Sequence, residues 1–308
     1  MAKIKNVSKP AVPVTDEANK VRIGIVGHGF VGQAVDFAFT HHNVTQFHVD
    51  PKYDTTLDDL IEWGPHFVFV CAPTPMSDDG FVDASIVEDA TLKLLEHTKA
   101  MVIIKSTITP DIVDRLYNSL FEDDIFRLFY NPEFLTESSA KRDFVEAPFH
   151  VIGCMPQASA KIIELYSLFS QCKNGDFVIL SPPEAAFVKY AINSFLALKV
   201  TFFNQLYDSS RAFGVNWHTL SRTVGRDPRV GHGHTVVPGF DGKRGFGGAC
   251  FPKDALALTK FDKENFSLIE KMIEINNEYR QDYDKDEREI EQNVNYGQTE
   301  EELEDKND

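Results

Sequence analysis

The stretch VRIGIVGHGFVGQAVDFAFTHH, from Val21 to His42, constrains the fold more than any other part of the chain. Val21 to Val26 is a near-continuous apolar run broken by Arg22, as expected of a strand buried on both faces. Gly27-x-Gly29-x-x-Gly32 then turns the chain into a helix that carries Val31, Val35, Ala38 and Phe39. Further apolar strands follow in VTQFHVD, HFVFVCAPTP, AMVIIKSTITP, IFRLFYNPEF and FHVIG, with the helical stretch SIVEDATLKLLEHT between two of them. Strands alternating with helices imply an α/β fold, a doubly wound parallel sheet covered on both faces.

The pattern changes near Ser181. No Gly or Pro occurs between Pro183 and Gly214. Ser181 can cap a helix, Pro182 suits its first turn, and Glu184 completes an S-x-x-E capping box. A helix from Pro182 to Phe213 would be about 48 Å long. It is apolar on most faces, so it needs other helices or a second subunit to cover it. More helix is expected in FPKDALALTKF and in the run from Asn265 to Ile290. The expected organisation is a leader over 1–20, a sheet domain over 21–180, an all-helical domain over 181–278 and a tail over 279–308.

Charge supports the last boundary. Tyr279 to Asp308 holds twelve Asp/Glu against four Lys/Arg, half of the chain's net charge of −16. Such a segment is expected to be solvated. The remainder is mildly acidic and carries no basic footprint for nucleic acid. No apolar run approaches the ~20 residues of a membrane helix, and residues 1–20 have no signal-peptide core. Cys71, Cys154, Cys172 and Cys250 are widely spaced. That suits a reducing, cytoplasmic setting rather than a disulfide framework. His232 and His234 are two apart with no other ligand cluster nearby, so no metal site is read.

The glycine turn has a chemical reading as well. It follows a strand and opens a helix, and Asp50 ends the next strand 18 residues after Gly32. This is the context of a dinucleotide fingerprint. Gly27 permits the turn, Gly29 lets a pyrophosphate approach, and Gly32 lets helix and strand pack. Phe30 and Val31 open the helix whose N-terminus would receive the phosphates. Asp50 would bind ribose hydroxyls and repel a 2′-phosphate, which favours NAD.

Other candidates have bland alternatives. Lys189 and Asn193 are four apart and share one face of the long helix; a snorkelling lysine is the ordinary explanation. Asn131 and Pro132 could open a short helix, making Glu133 a first-turn acid. Thr107 could be a plain strand-end hydroxyl. Cys71 lies in an apolar strand and is expected in the core. The loop GFGGACFPKD puts Cys250 behind glycines and ahead of Lys253 and Asp254, and Lys253 could favour a thiolate.

VGHGFVG, FVFVCAPTP, KSTITP, NPEFLTESSAKRDF, EAAFVKYAINSFLALKVTFFNQL, GRDPRVG and GFGGACFPKD occur in an order that resembles the UDP-glucose/GDP-mannose dehydrogenase family over roughly residues 21–260. The resemblance implies a Rossmann-type NAD domain and a helical dimerisation domain built on one long helix. It also implies oxidation of a nucleotide-sugar C6 alcohol to a carboxylate with two NAD, through a thiohemiacetal and thioester on Cys250. By position it implies catalytic roles for Thr107, Glu133, Lys189, Asn193, Cys250 and Asp254. Lys189 and Asn193 would stabilise charge on oxygen, and a desolvated Lys189 of lowered pKa could also act as a base. Glu133, Asp254 and Thr107 would serve the hydrolytic water. Thr74 and Thr107 would touch NAD. The sugar would meet Phe134, Leu135, Glu137 and the loop of Phe246, Gly247 and Gly248. Arg229 would reach the site of the second subunit in a homodimer. The family's further domain after the cysteine loop is expected to be missing, because only about fifty residues follow Asp254. Alternatives are a two-electron 3-hydroxyacid-type dehydrogenase, which needs no nucleophilic cysteine, and a binding protein without turnover.

Overall fold

A computed structural model describes residues 20–297 except 122 and 174. The leader and the last part of the tail, residues 298–308, lie outside the described residues. Seven strands form one sheet: β1 (Val21–Val26), β2 (Val44–Val49), β3 (Phe67–Val70), β4 (Met101–Ile104), β5 (Leu128–Tyr130), β6 (His150–Gly153) and β7 (Phe177–Leu180). Their order is β2-β1-β3-β4-β5-β6-β7. Every pairing is parallel except β5 with β6. The expected parallel sheet is therefore present with one antiparallel junction. β7, a four-residue run, is an addition to the strands expected.

The chain winds outward from β1 in both directions, to β2 on one side and β3 on the other. The helices α1 (Phe30–Ala38), α2 (Leu57–Trp63), α3 (Ser85–His97), α4 (Pro110–Asn118), α5 (Ala140–Val145) and α6 (Ser159–Phe169) serve the crossovers. Alternate residues of each strand feed opposite cores. Val68, Val70, Val102 and Ile104 pack on one face, and Phe69 and Ile103 on the other. Burial on both faces explains why these strands read as unbroken apolar runs. A crevice opens at the carboxyl ends of β1 and β3, where the winding reverses, which is where such sheets bind ligands.

α7 (Pro182–Ala212) follows β7 after Ser181. The capping interaction is present, with the Ser181 backbone N–H donating to Glu184 Oε2 at 2.9 Å. α7 lies against α4 and α9 (Phe251–Phe261), and α8 (Trp217–Val224) and α10 (Ser267–Arg280) complete the helical region. By length and composition α7 could cross a membrane, but it is a partly buried core helix here.

Two local expectations are corrected. Asn131 to Thr136 is not helical. Asn131 is buried instead, its Nδ2 donating to the Val151 carbonyl at 2.8 Å while its Oδ1 accepts from Tyr166 Oη at 2.6 Å. Those tertiary bonds take the side chain away from capping. The acidic segment from Tyr279 is not simply solvated either. α11 (Glu287–Glu291) folds back, and Glu289, Val294 and Tyr296 are buried. The cause is Arg280, which is only 2% exposed. Its guanidinium binds Asp241 at 2.8 Å and Glu289 at 3.0 Å, because a buried cation requires anions around it.

Candidate active site

The glycine turn sits at the mouth of the crevice. Gly27 has φ +85°, and a Cβ there would lie 2.6 Å from the Cys71 carbonyl oxygen. A Cβ on Gly32 would lie 2.1 Å from the Gly27 carbonyl oxygen. Both positions therefore require glycine. Gly29, the residue before α1, has nothing within 4 Å of where a Cβ would be. Open space thus faces the N-terminus of α1, as a phosphate cradle needs. Asp50 directly follows β2 and accepts the His28 N–H at 2.7 Å and the Lys52 N–H at 3.2 Å. Burial opposes its charge, but these hydrogen bonds and Lys52 outweigh it and hold the carboxyl below the usual range. An ionised Asp50 fits ribose hydroxyls.

One cavity of about 730 Å³ runs from this turn to the cysteine loop. Gly27, Gly29, Phe30, Val31 and Asp50 line one end, and Thr74, Thr107, Glu133, Cys250 and Asp254 line the other. Gly32 does not face it; its role is the packing just described. The Thr74 hydroxyl donates to the Thr107 carbonyl at 3.0 Å, so the two threonines brace each other across the strand ends. The volume lies within the range of small-molecule sites.

Beside Cys250 stand two buried pairs. Lys189 Nζ lies 3.0 Å from Glu133 Oε1 and donates to the Glu133 carbonyl at 2.6 Å. Leu135 N–H donates to Glu133 Oε2 at 2.6 Å. Lys189 is 2% exposed, so it does not snorkel. Burial works against its charge, but Glu133 first and Asp254 next outweigh it and raise its pKa. Lys189 is therefore held as an ammonium, a donor rather than the lowered base expected. Asn193, one turn along α7, donates to Asp254 Oδ2 at 2.6 Å. Lys253 Nζ binds Asp254 Oδ1 at 2.8 Å.

Cys250 opens α9 and is half-buried. Burial pushes its thiol up to about 12; Glu133 and Asp254 add to the rise, while Lys189 and Lys253 oppose it. Lys253 favours the thiolate in direction, as expected, but burial outweighs it. Lys253 is committed to Asp254, and the carboxylates offset the lysines around the sulfur.

Other expected residues divide. Phe134 and Leu135 line a second cavity of about 500 Å³, which shares Lys105 and Glu133 with the first. Glu137 lines the first cavity, paired with Arg288. The glycine loop does not offer its backbone as expected. The Gly245 N–H donates to Asn204, the Phe246 N–H to Asn276 and the Gly248 N–H to Glu289. Phe246 is buried in the helical core, and of residues 245–250 the cavity lining includes Ala249 and Cys250 but none of the glycines. The close neighbour of Gly247 is the buried Arg280 side chain. Arg229 is 88% exposed, bonded to Asp227, and is absent from the lining of these cavities.

Several cavity residues were not foreseen as site residues, among them Lys105, Arg288, Gln292 and Cys71. Lys105, at the end of β4, is buried with Nζ 3.2 Å from Asn131 Oδ1, and burial pulls its ammonium down to about 8. A lone lysine closing an apolar strand was the available signal. Arg288 and Gln292 come from the folded-back acidic segment, where a run of charges conceals any single role. Cys71, expected in the core, lies at the strand end as part of the cavity wall.

Comparison with known proteins identifies the two parts of the chain. Residues 64–170 match the NAD binding domain of the UDP-glucose/GDP-mannose dehydrogenase family, and residues 183–278 match its central domain. The UDP-glucose 6-dehydrogenase of Rickettsia bellii is 30% identical over 296 residues, covering 84% of this chain and 67% of that protein. The UDP-glucose 6-dehydrogenase of Rickettsia felis is 30% identical over 274 residues, covering 77% of this chain and 60% of that one. The solved UDP-glucose dehydrogenase of Pyrobaculum islandicum superposes with a TM-score of 0.67 at 26% identity, over 86% of this chain and 70% of that one. The chain thus spans between 60 and 67% of the length of these curated relatives.

Proposed function

We propose that this chain, which belongs to the UDP-glucose/GDP-mannose dehydrogenase family and carries its NAD-binding domain, oxidises the C6 alcohol of a nucleotide sugar to the carboxylate. UDP-glucose is the proposed substrate, by analogy with the two Rickettsia relatives. The observation that carries the reading is that Cys250 shares one cavity with the glycine turn and with the Glu133 and Asp254 members of the two buried pairs. The turn and Asp50 would hold NAD, which would supply the hydride acceptor for each of two oxidations.

The chain's own groups account for the rest. Lys189 and Asn193 donate toward the C6 oxygen and stabilise the charge that grows there as the alcohol loses its proton. That proton leaves through water to the carboxylates Glu133 and Asp254. Cys250 then adds to the aldehyde carbon: an Sγ–C bond forms, and the thiol proton passes to the C6 oxygen. A thiol with a pKa of about 12 is protonated at neutral pH. It reacts when a carbonyl polarised by Lys189 is set against it. In the second oxidation the remaining C6 hydride leaves to the acceptor, the thiohemiacetal hydroxyl proton passes through water to the same carboxylates, and a thioester remains on Cys250. Water attacks that carbon, the C–S bond breaks, and Cys250 regains its proton.

The test is stoichiometry. Purified chain with NAD and UDP-glucose is expected to yield two NADH per acid formed, and Cys250→Ala to yield no acid. An acid-free, one-NADH reaction that survives Cys250→Ala would move the chain to two-electron chemistry. Binding of NAD without NADH from UDP-glucose, GDP-mannose or UDP-N-acetylmannosamine would refute turnover by this chain alone.

The proposed assembly is a homodimer through α7. Phe195, Phe202 and Phe213 are 63%, 56% and 82% exposed. They are seven and eleven residues apart, which returns each to one helix face at 3.6 residues per turn. A row of exposed aromatics of this kind marks an interface. Arg229, free of its own cavity, is proposed to serve the second subunit's site.

A further inference from the structure

We propose that His28, Asp36 and His48 form a binding site for one divalent transition-metal cation of the zinc class, beneath the glycine turn. The three side chains come from three elements: the turn, α1 and β2. His28 Nε2 lies 3.2 Å from Asp36 Oδ2, and His48 Nε2 lies 3.5 Å from Asp36 Oδ1. A ligand atom from each of the three lies within 4.8 Å of the other two. Around a tetrahedral cation with bonds of about 2.0–2.1 Å, neighbouring ligand atoms are about 3.3–3.4 Å apart. The two measured separations, one to each oxygen of Asp36, bracket that value, and within the 4.8 Å bound the two imidazoles close on a shared cation by a small movement.

A carboxylate merely bonded to imidazoles accounts for His28 but not for His48. The His48 Nε2 atom is buried and has no hydrogen-bond partner. Gln46 lies two residues earlier on β2 and so on the same strand face. Its Nε2 donates to the Asp36 carbonyl at 3.0 Å, and its Oε1 is also buried and unbonded. Two orphaned acceptors from one strand face, both beside Asp36, call for a partner. A cation supplies one to acceptors that no donor reaches.

The surrounding bonds prepare His28 as a ligand. Tyr53 Oη lies 2.8 Å from its Nδ1. A hydroxyl accepting the Nδ1–H leaves the Nε2 lone pair turned toward Asp36 and His48, as outer partners of metal-bound histidines do. Lys52 is the cation facing this group; its Nζ is occupied by the His28 carbonyl at 2.6 Å. Two nitrogens and one carboxylate select zinc, cobalt, nickel or copper over magnesium or calcium, which take oxygens. Asp50 meets His28 only through the backbone N–H, so the site is separate from the cofactor's carboxylate.

The full chain, stripped with a chelator, is titrated with Co²⁺ and followed by visible absorption. One Co²⁺ per chain with an intense tetrahedral-type band, displaced by Zn²⁺, is expected. His48→Gln and Asp36→Asn should each weaken binding by more than about tenfold, and Tyr53→Phe, which removes the outer partner, by roughly tenfold. Folding of each variant is checked by thermal stabilisation with NAD. X-ray absorption of the Zn²⁺-loaded wild type needs no variant, and should show two imidazoles and no sulfur. A weak octahedral spectrum, binding indifferent to His48→Gln and Asp36→Asn, or a sulfur shell that disappears with Cys250→Ser would each overturn the site.

Discussion

The backbone of Gly247 lies so close to Arg280 that a Cβ at position 247 would sit 1.3 Å from Nη2. The glycine is required by a buried guanidinium, itself tied to Asp241 and Glu289. Gly247→Ala should displace Arg280 from its carboxylates and cost about 3–5 kcal/mol, the usual penalty for breaking a buried pair. Chemical denaturation would measure it. A loss below about 1 kcal/mol would mean that Arg280 has room to move.

Lys189 and Glu133 are predicted to depend on each other. Lys189→Met leaves Glu133 buried without its cation and should destabilise the chain by about 3–5 kcal/mol. Adding Glu133→Gln should restore a substantial part, because a neutral amide no longer requires a counter-charge. A double-mutant cycle reads the coupling directly. Additive losses would show that the pair does not act as a unit.

Cys250 should alkylate slowly. With a pKa of about 12 against an ordinary 9.0, its thiolate fraction near pH 8 is about a thousandfold lower. The more basic thiolate is about twentyfold more nucleophilic, so the net rate should be roughly fiftyfold below that of the unfolded chain. The rate should climb about tenfold per pH unit well past pH 9. Iodoacetamide labelling with peptide mapping tests this, and a plateau near pH 9 contradicts it.

Lys105 makes stability depend on pH. Its folded pKa of about 8 lies below the ordinary 10.5. Between these values the unfolded state binds more protons, so this residue's contribution to stability rises with pH from about 8 to 10.5. Lys105→Met should therefore be most favourable relative to wild type below pH 8, with the advantage shrinking above it. Urea midpoints at pH 7 and 10 give the comparison; an advantage that grows with pH has the wrong sign.

The aromatic row on α7 predicts assembly. Phe195→Asp with Phe202→Asp should shift the chain from dimer to monomer in light scattering while NAD binding persists. A wild type that is monomeric at tens of micromolar refutes the interface.

What the sequence by itself determined is what short-range periodicity and turn chemistry encode. Six of the seven strands were legible, as was the long helix with Ser181 and Glu184 at its start, because each signal lies within a few residues. The glycine turn with Asp50, and Lys189 beside Asn193, were legible for the same reason. The resemblance then supplied Glu133 and Asp254. The tertiary structure decided the partners. Glu133 meets Lys189 across 56 residues and Asp254 meets Asn193 across 61, and only the packing of α7 against the sheet and α9 brings them together. It also decided why position 247 of the cysteine loop is glycine, and why the acidic segment from Tyr279 turns inward. Both follow from Arg280, a cation whose burial requires carboxylates from distant parts of the chain and leaves room at position 247 only for a residue without a side chain.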